Sequence, residues 1–226
     1  MIRFVNDFLS IGLPYTESPP DPIVRKYNSN GHRSKDIKDL KLDNYILFAG
    51  CSHTEGYGLE IEEVYPHHVS SALNMDYYNL GVGGSGCDVM FYNLMTWLFK
   101  YQHKPKLIVL QWSFPLRFAR MHDDGDPEHV QTEGSWSEDK QASFAITGER
   151  IGYFPLRTRL YYNITKQLNI PVVNITFNHF NIKSVKDFIS MQEHDKARDG
   201  MHLGPLSHKS LAHNIVNHIQ SNNLLV

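Results

Sequence analysis

Tyr45-Ile-Leu-Phe-Ala-Gly-Cys-Ser-His-Thr-Glu-Gly-Tyr-Gly58 joins a short apolar run to a glycine-rich turn, and this pattern is typical of an α/β protein. Its first five residues are continuously apolar and lie between the mostly polar residues 41–44 and a glycine, which predicts a buried strand. Ser52 and Thr54 follow the end of this strand, where α/β proteins bind their ligands. The alternative is that both hydroxyls only cap a turn or the next helix.

Alternating patterns on either side of this strand predict an α/β domain. Further strands are predicted at 75–80, 105–112 and 170–177, and helices at 65–73, 87–101, 155–168 and 205–220, with a short helix at 185–191. Such alternation implies a mostly parallel sheet with helices on both faces. Right-handed crossovers bring the turns after the strands to one edge, so we expect Ser52, the turn at 81–86 and Ser113 to lie close together.

Composition and charge exclude several classes of protein. The chain has 226 residues, 41% of them hydrophobic, which suits one globular domain with a full core. A formal net charge of −2 argues against a general nucleic-acid or membrane-surface binder. No apolar stretch is long enough to span a bilayer, and Asn6 and Asp7 interrupt any signal-peptide core. With only Cys51 and Cys87, we predict a cytoplasmic protein with reduced thiols and no disulfide framework.

Two segments differ from the rest in composition. Residues 1–26 carry four prolines and are predicted to form an extended arm ahead of a single domain at 27–226. Residues at about 119–150 are rich in Asp, Glu, Gly, His and Ser and show little periodicity. This polar insert is longer than an ordinary connection, so we expect it to be either a functional loop or a mobile one.

Asp199 and His202 lie three residues apart, ahead of the last predicted helix. A carboxylate at this spacing can hydrogen-bond one imidazole nitrogen and fix the tautomer, which leaves the other nitrogen free to take a proton from a serine hydroxyl. Serine needs such a base because its unassisted hydroxyl is a poor nucleophile near neutral pH. The spacing is common by itself, but together with a glycine-flanked Ser52 and a second glycine turn it predicts a Ser–His–Asp triad.

These pieces resemble the sequence blocks of the SGNH (GDSL-like) hydrolases, from about residue 28 to the C-terminus apart from the insert. Phe48-Ala-Gly-Cys-Ser-His-Thr-Glu-Gly56 is similar to the first block, Gly-Asp-Ser-x-Thr-x-Gly, with Ser52 at the nucleophile position. Asn79-Leu-Gly-Val-Gly-Gly-Ser85 is similar to the second block, in which a glycine amide, here that of Gly84, donates to the oxyanion. Asp199-Gly-Met-His202 resembles the last block, which supplies the orienting carboxylate and the base. Asn28-Ser-Asn-Gly-His-Arg33 looks like the lead-in of some members.

The resemblance implies a three-layer α/β/α, flavodoxin-like fold. It also implies hydrolysis of esters, thioesters or O-acetyl groups on carbohydrates, although some relatives transfer acyl groups. The amides of Ser52 and Gly84 would form the oxyanion hole. No cofactor is implied, and no spacing among the histidines predicts a metal site. The expected partner is a small-molecule or carbohydrate ester.

This chain departs from the family pattern in two places. Cys51 replaces the aspartate of the first block, which is not one of the three groups that transfer protons. The third block has Gly-x-Asn-Asp, whose asparagine amide donates to the oxyanion, whereas this chain has Gln111-Trp-Ser-Phe-Pro115. Losing one such donor typically costs about 2.7–4 kcal/mol of transition-state stabilisation. Ser113, Gln111 and Asn178 are the alternatives for a substitute donor.

Three further side chains are weaker candidates for substrate binding. Arg33 is predicted either to pair with an anionic group or to lie solvated in a loop. Trp112 and Arg117 flank the expected cleft, although Trp112 suits the core equally well. The insert, which contains Trp136, favours a polar substrate over a long acyl chain.

Two classes of function remain open at this point. The first is a serine esterase, acting on a carboxylic ester such as an O-acylated carbohydrate, or an O-acyltransferase if a hydroxyl other than water accepts the acyl group. The second is a catalytically weak or inactive binding module on the same fold, which the missing third-block asparagine favours.

Overall fold

The computed structural model describes residues 23–114, 117–121, 130–133, 154–177 and 185–225. Most of the arm predicted at 1–26, most of the insert predicted at 119–150, and Asn178 lie outside these residues.

The described strands follow the predicted order closely. In chain order they are β1 (Tyr45–Ala49), β2 (Asp76–Asn79), β3 (Leu107–Gln111), β4 (Phe118–Met121), β5 (Val130–Glu133), β6 (Val172–Phe177) and β7 (Phe188–Met191). Five of them form one sheet in the order β2-β1-β3-β6-β7, and every neighbouring pair is parallel. If only the five strands of this sheet are numbered, the order is 2-1-3-4-5, which is that of flavodoxin-like sheets.

Five α-helices accompany these strands in the described part of the chain. They are α1 (Ser52–Glu55), α2 (Tyr65–Leu73), α3 (Cys87–Lys100), α4 (Phe154–Thr165) and α5 (Pro205–Ser221). Proline lies in the first turn of α2 and of α5, where its missing N–H has no partner to lose. None of the helices in the described ranges combines the length and the apolar character that a membrane crossing requires.

The core divides into two clusters, one on each face of the sheet. Alternate side chains of β1, such as Leu47, pack with α3 and α4, whereas their neighbours, such as Phe48, pack with α2 and α5. All five residues of β1 are fully buried, which explains the unbroken apolar run in its sequence. The fold is therefore a three-layer α/β/α sandwich, and the predicted fold class is confirmed.

Two predictions of secondary structure were wrong. The segment predicted as a short helix at 185–191 forms β7, which pairs parallel with β6 from Phe188 opposite Asn174 to Met191 opposite Phe177. Four residues are too few for periodicity to separate a strand from a helix, and the hydrogen bonds to β6 decide the outcome. Similarly, part of the segment expected to lack regular structure contributes β4 and β5, which form an antiparallel pair.

The carboxyl ends of β1, β2 and β3 lie side by side at one edge of the sheet. Ser52, the glycine turn at 81–86 and Ser113 follow these three strand ends in the chain. The parallel topology thus brings together the three segments that the sequence singled out.

Candidate active site

Ser52 is the first residue of α1, directly after the turn that ends β1. Gln111, at the end of β3, holds this turn through its Oε1, which accepts hydrogen bonds from the Cys51 N–H (2.9 Å) and the Thr54 hydroxyl (3.0 Å). Gln111 is fully buried, so water does not compete for these bonds. Anchoring the chain on both sides of Ser52 fixes the direction of its hydroxyl.

The hydroxyl oxygen of Ser52 lies 2.9 Å from Nε2 of His202, a residue 150 positions away in the chain. On the other side of the ring, Nδ1 of His202 lies 2.5 Å from Oδ2 of Asp199. Because a carboxylate only accepts hydrogen bonds, the proton of the neutral imidazole sits on Nδ1, and Nε2 accepts from the Ser52 hydroxyl. The three groups therefore have the connectivity that proton transfer from serine to imidazole requires.

Asp199 is oriented by its own loop. Its Oδ1 accepts hydrogen bonds from the N–H groups of Met201 and His202, each at 3.0 Å, which leaves Oδ2 to face the imidazole. Burial opposes ionisation, but these two amides and the imidazole outweigh it and hold the pKa of Asp199 below its usual range. The carboxylate is thus ionised at neutral pH and stabilises a protonated His202.

Two aromatic rings enclose the ring of His202. Tyr57 stacks on it at a centroid distance of 5.3 Å and an interplanar angle of 29°, and His53 approaches edge-on at 4.9 Å. Burial, together with the neighbouring imidazoles of His202 and His208, holds the pKa of His53 well below its usual value. This second imidazole therefore stays neutral and does not repel a proton on His202.

The glycine turn after β2 packs against the turn that carries Ser52. The Val82 N–H and the Ser85 hydroxyl both donate to the carbonyl oxygen of Gly50, each at 3.1 Å. Gly84 has a φ of 73°, a backbone conformation that favours glycine. Within the described ranges, the N–H groups of Ser52 and Gly84 donate to no protein acceptor, which fits the two backbone donors expected for an oxyanion.

Two of the three candidates for a third oxyanion donor are engaged elsewhere. The side-chain nitrogen of Gln111 donates to the Trp112 carbonyl oxygen (3.4 Å), while its oxygen anchors the Ser52 turn. The Ser113 hydroxyl uses its one proton to donate to the carbonyl oxygen of Ser85 (2.7 Å). Ser113 therefore has no proton left for an oxyanion, whereas the amide of Gln111 carries a second N–H, and the third candidate, Asn178, lies outside the described residues.

Arg33 serves the backbone, not a ligand. It is 3% exposed, and its guanidinium donates to the carbonyl oxygens of Gly56 (2.5 Å) and Leu59 (2.6 Å). Both alternatives predicted for Arg33, an anionic ligand and a solvated loop, are therefore wrong. The residue shapes the loop that follows α1, because planar guanidinium can satisfy several carbonyls at once.

Trp112 and Arg117, the two other weaker candidates for substrate binding, differ in their burial. Trp112 is fully buried, and its indole N–H donates to the side-chain oxygen of Asn174 (2.9 Å), so it belongs to the core and not to a substrate surface. Arg117 is half-buried, with its guanidinium carbon 4.5 Å from the centre of the Phe114 ring. Its charge also contributes to the low pKa of His53, and its role in substrate binding stays a prediction.

Three side chains near the site were missed in the sequence. Tyr57 stacks on His202, Glu55 accepts a hydrogen bond from the glycine turn, and Arg25 contacts both Tyr57 and Glu55. One signal was present, because a glutamate in a buried, glycine-rich stretch has to find partners for its charge. The identity of those partners cannot be seen in the sequence, since Arg25 is 30 residues away from Glu55.

No group of three or more His, Cys, Asp or Glu side chains is arranged to hold a metal ion in the ranges that the structure covers.

Comparison with known proteins finds likeness only among solved structures. No family model matches the chain, and no curated protein matches it. One similar structure is a family two carbohydrate esterase from Clostridium thermocellum, solved in complex with cellohexaose, with 13% identity, a TM-score of 0.46 and coverage of 83% of this chain and 66% of that one. A SGNH-hydrolase family esterase has 16% identity, a TM-score of 0.41 and coverage of 75% and 72%. A member of the lipolytic protein G-D-S-L family from Veillonella parvula has 14% identity, a TM-score of 0.37 and coverage of 79% and 74%. All three likenesses are too weak to carry a function over to this chain.

Proposed function

We propose that this protein is a serine hydrolase of the SGNH type, which cleaves a carboxylic ester through Ser52, His202 and Asp199. The observation that carries the proposal is the continuous chain of contacts from hydroxyl to imidazole (2.9 Å) to carboxylate (2.5 Å). A partly buried Ser–His–Asp chain at the carboxyl edge of a parallel sheet has the geometry of an activated nucleophile. The resemblance of the surrounding sequence to the SGNH blocks supports the same assignment.

In the proposed mechanism, Ser52 Oγ attacks the acyl carbon while Nε2 of His202 takes its proton. Asp199 stabilises the imidazolium, and the N–H groups of Ser52 and Gly84 donate to the oxyanion. His202 then protonates the departing alkoxide, which leaves an acyl group on Ser52. A water molecule that gives its proton to His202 attacks this ester, and His202 then returns the proton to Ser52 Oγ as the acid leaves.

For the substrate, we infer an ester whose alcohol portion is polar, such as an O-acylated carbohydrate. The support is the composition of the segment at about 119–150, which is rich in polar and charged residues and contains Trp136, a ring of the kind that stacks on sugars. Transfer of the acyl group to a sugar hydroxyl instead of water would use the same residues, so an O-acyltransferase is a variant of this proposal.

One observation favours the second candidate, a binding module with little or no activity. Because Ser113 spends its proton on Ser85 and Gln111 is fully buried, the backbone amides of Ser52 and Gly84 are the oxyanion donors that this proposal relies on. The absence of a third donor would slow the reaction by about 100- to 1,000-fold relative to a complete site.

Hydrolysis of short aryl esters and acetylated sugars by the wild type and two serine variants tests the proposal. Ser210→Ala is a matched control, because the Ser210 hydroxyl also lies near an imidazole, 3.2 Å from Nε2 of His194, on the outer side of α5. We expect Ser52→Ala to lower kcat/KM by about 10³-fold or more and Ser210→Ala to leave it unchanged. Wild-type hydrolysis that persists in Ser52→Ala would refute the assignment, and no hydrolysis by folded wild type would favour the binding module.

A further inference from the structure

Glu55, the last residue of α1, carries a carboxylate that is almost completely buried. Its side chain is 1% exposed, and three groups donate to it. Oε1 accepts from the guanidinium of Arg25 and from the hydroxyl of Tyr27, each at 2.7 Å, and Oε2 accepts from the N–H of Gly83 at 2.5 Å. A carboxylate with three donors, one of them charged, is held in one orientation.

Through Gly83, this carboxylate fixes the turn that carries the candidate oxyanion donor. The Gly83 N–H lies one residue before that of Gly84, so its bond to Glu55 restricts the direction of the next peptide. The fit is close, because a Cβ on residue 83 would lie 2.7 Å from Cε2 of Tyr57 and 3.0 Å from Oε2 of Glu55. The glycine turn therefore rests directly on these two side chains.

The same cluster reaches the candidate base from the other direction. The guanidinium carbon of Arg25 lies 3.5 Å from the centre of the Tyr57 ring, while one of its nitrogens donates to Glu55. The Tyr57 ring in turn stacks on His202. Arg25 thus links a fixed carboxylate to the ring that supports the imidazole, and a planar guanidinium can make both contacts at once.

We propose that Arg25, Glu55 and Tyr57 form a positioning cluster, which sets the orientation of the His202 ring and of the glycine turn relative to Ser52. This inference rests on the proposed hydrolase function. None of the three residues exchanges a proton with the substrate. They act because Ser52 begins α1, Glu55 ends it, and both the base and the glycine turn are packed against the same group of side chains.

Arg25 is the residue to vary, because it lies before the first strand and contacts both Glu55 and Tyr57. Arg157→Ala is the matched control: Arg157 also pairs with a carboxylate, that of Asp88 at 2.5 Å, but between α4 and α3. Two readouts are needed, namely kcat and KM on a short aryl ester, and the Cε1–Hε1 NMR cross-peak of His202, assigned with His202→Gln.

We expect Arg25→Ala to lower kcat by about 10- to 100-fold while KM changes by less than about threefold, because orientation and not affinity is lost. The His202 cross-peak should shift, since its ring lies against Tyr57. Arg25→Lys keeps the charge but not the planar stack, so we expect it to recover less than about a third of the lost kcat. Arg157→Ala should keep kcat within about twofold and leave the cross-peak in place.

Unchanged kcat together with an unchanged cross-peak in Arg25→Ala would overturn the proposal, as would an equal loss of kcat in Arg157→Ala. Full recovery of kcat in Arg25→Lys would show that Arg25 does not act on His202 through its stack on Tyr57. If the wild type hydrolyses no ester, the proposed function fails, but the cross-peak of His202 still decides whether Arg25 positions the ring.

Discussion

Acidification is expected to destabilise this fold through a histidine behind the candidate site. His208 is 1% exposed on α5, its Nδ1 accepts from the N–H of Tyr65 (3.1 Å), and its ring stacks on the Tyr65 ring. Burial, assisted by the neighbouring His68, lowers the pKa of His208 from 6.5 to about 3. The folded protein therefore keeps this imidazole neutral at a pH where the unfolded chain protonates it.

The sign and the size of the effect follow from linkage. Because the pKa of His208 is depressed in the folded state, its contribution to stability is complete above pH 6.5 and is lost progressively as the pH falls towards about 3. A pH of about 5 lies about 1.5 units below the pKa of the imidazole in the unfolded chain. At about 1.36 kcal/mol per unit, the free energy of unfolding therefore falls by about 2 kcal/mol. His32, whose pKa burial also lowers to about 3, adds a loss of the same sign.

The assay is urea unfolding at about pH 7.5 and about pH 5 for the wild type, His208→Gln and His213→Gln. Glutamine does not titrate, and its amide oxygen can accept from Tyr65 as the imidazole does. We expect the stability lost on acidification to be smaller in His208→Gln than in the wild type by about 2 kcal/mol. His213 is exposed on the same helix, so its variant should behave as the wild type does. Equal losses in the wild type and His208→Gln would show that His208 does not cause the loss of stability at low pH.

Three further predictions concern the site itself. Gly58→Ala and Gly200→Ala both place a side chain at positive φ, but a Cβ at 58 would lie 3.1 Å from Cγ of Asp199, whereas one at 200 meets nothing within 4 Å. Calorimetry should therefore show a loss of about 1–2 kcal/mol in Gly200→Ala and a larger loss in Gly58→Ala. A lower kcat is expected only in Gly58→Ala, and equal effects of the two substitutions would contradict this. Asp199→Asn should keep the fold but lower kcat by about 10³- to 10⁴-fold, because the imidazole of His202 loses its orienting carboxylate. The measurement uses the ester that the wild type cleaves best, and a loss below about tenfold would exclude Asp199 as the orienting group. In urea unfolding, Gln111→Ala should lower the free energy of unfolding by about 2–5 kcal/mol. The substitution creates a cavity, and it removes the acceptor of the buried Cys51 N–H. A change below about 1 kcal/mol would show that the turn does not depend on Gln111.

The parts of the fold that sequence predicted well are those where one local pattern is decisive. The apolar run of β1 and the helical periodicity of α3 specify buried elements whatever surrounds them, and their predicted bounds agree with the structure to within one residue. The segment at 185–191 is different, because four residues, three of them half-buried, become a strand only by pairing with β6. Local propensity cannot supply that information.

In the candidate site too, contacts between residues close in the chain could be predicted, and contacts between distant residues could not. Side chains fixed by short-range spacing, such as Asp199 and His202, could be paired from the sequence, since three residues of loop leave few other arrangements. The anchoring role of Gln111 was missed because the two donors to its oxygen, the Cys51 amide and the Thr54 hydroxyl, lie about 60 residues away in the chain. Arg33 was mistaken for a ligand contact for the same reason, since its acceptors are carbonyls of a loop more than 20 residues away.

Labelling with a serine-directed phosphonate, followed by mass spectrometry of the peptides, shows whether Ser52 is an activated nucleophile. If His202 activates Ser52, the wild type should take up one phosphonate, located on Ser52. Labelling should disappear in Ser52→Ala and fall sharply in His202→Gln. Folded wild-type protein that stays unlabelled, or that is labelled at another serine, would contradict the account.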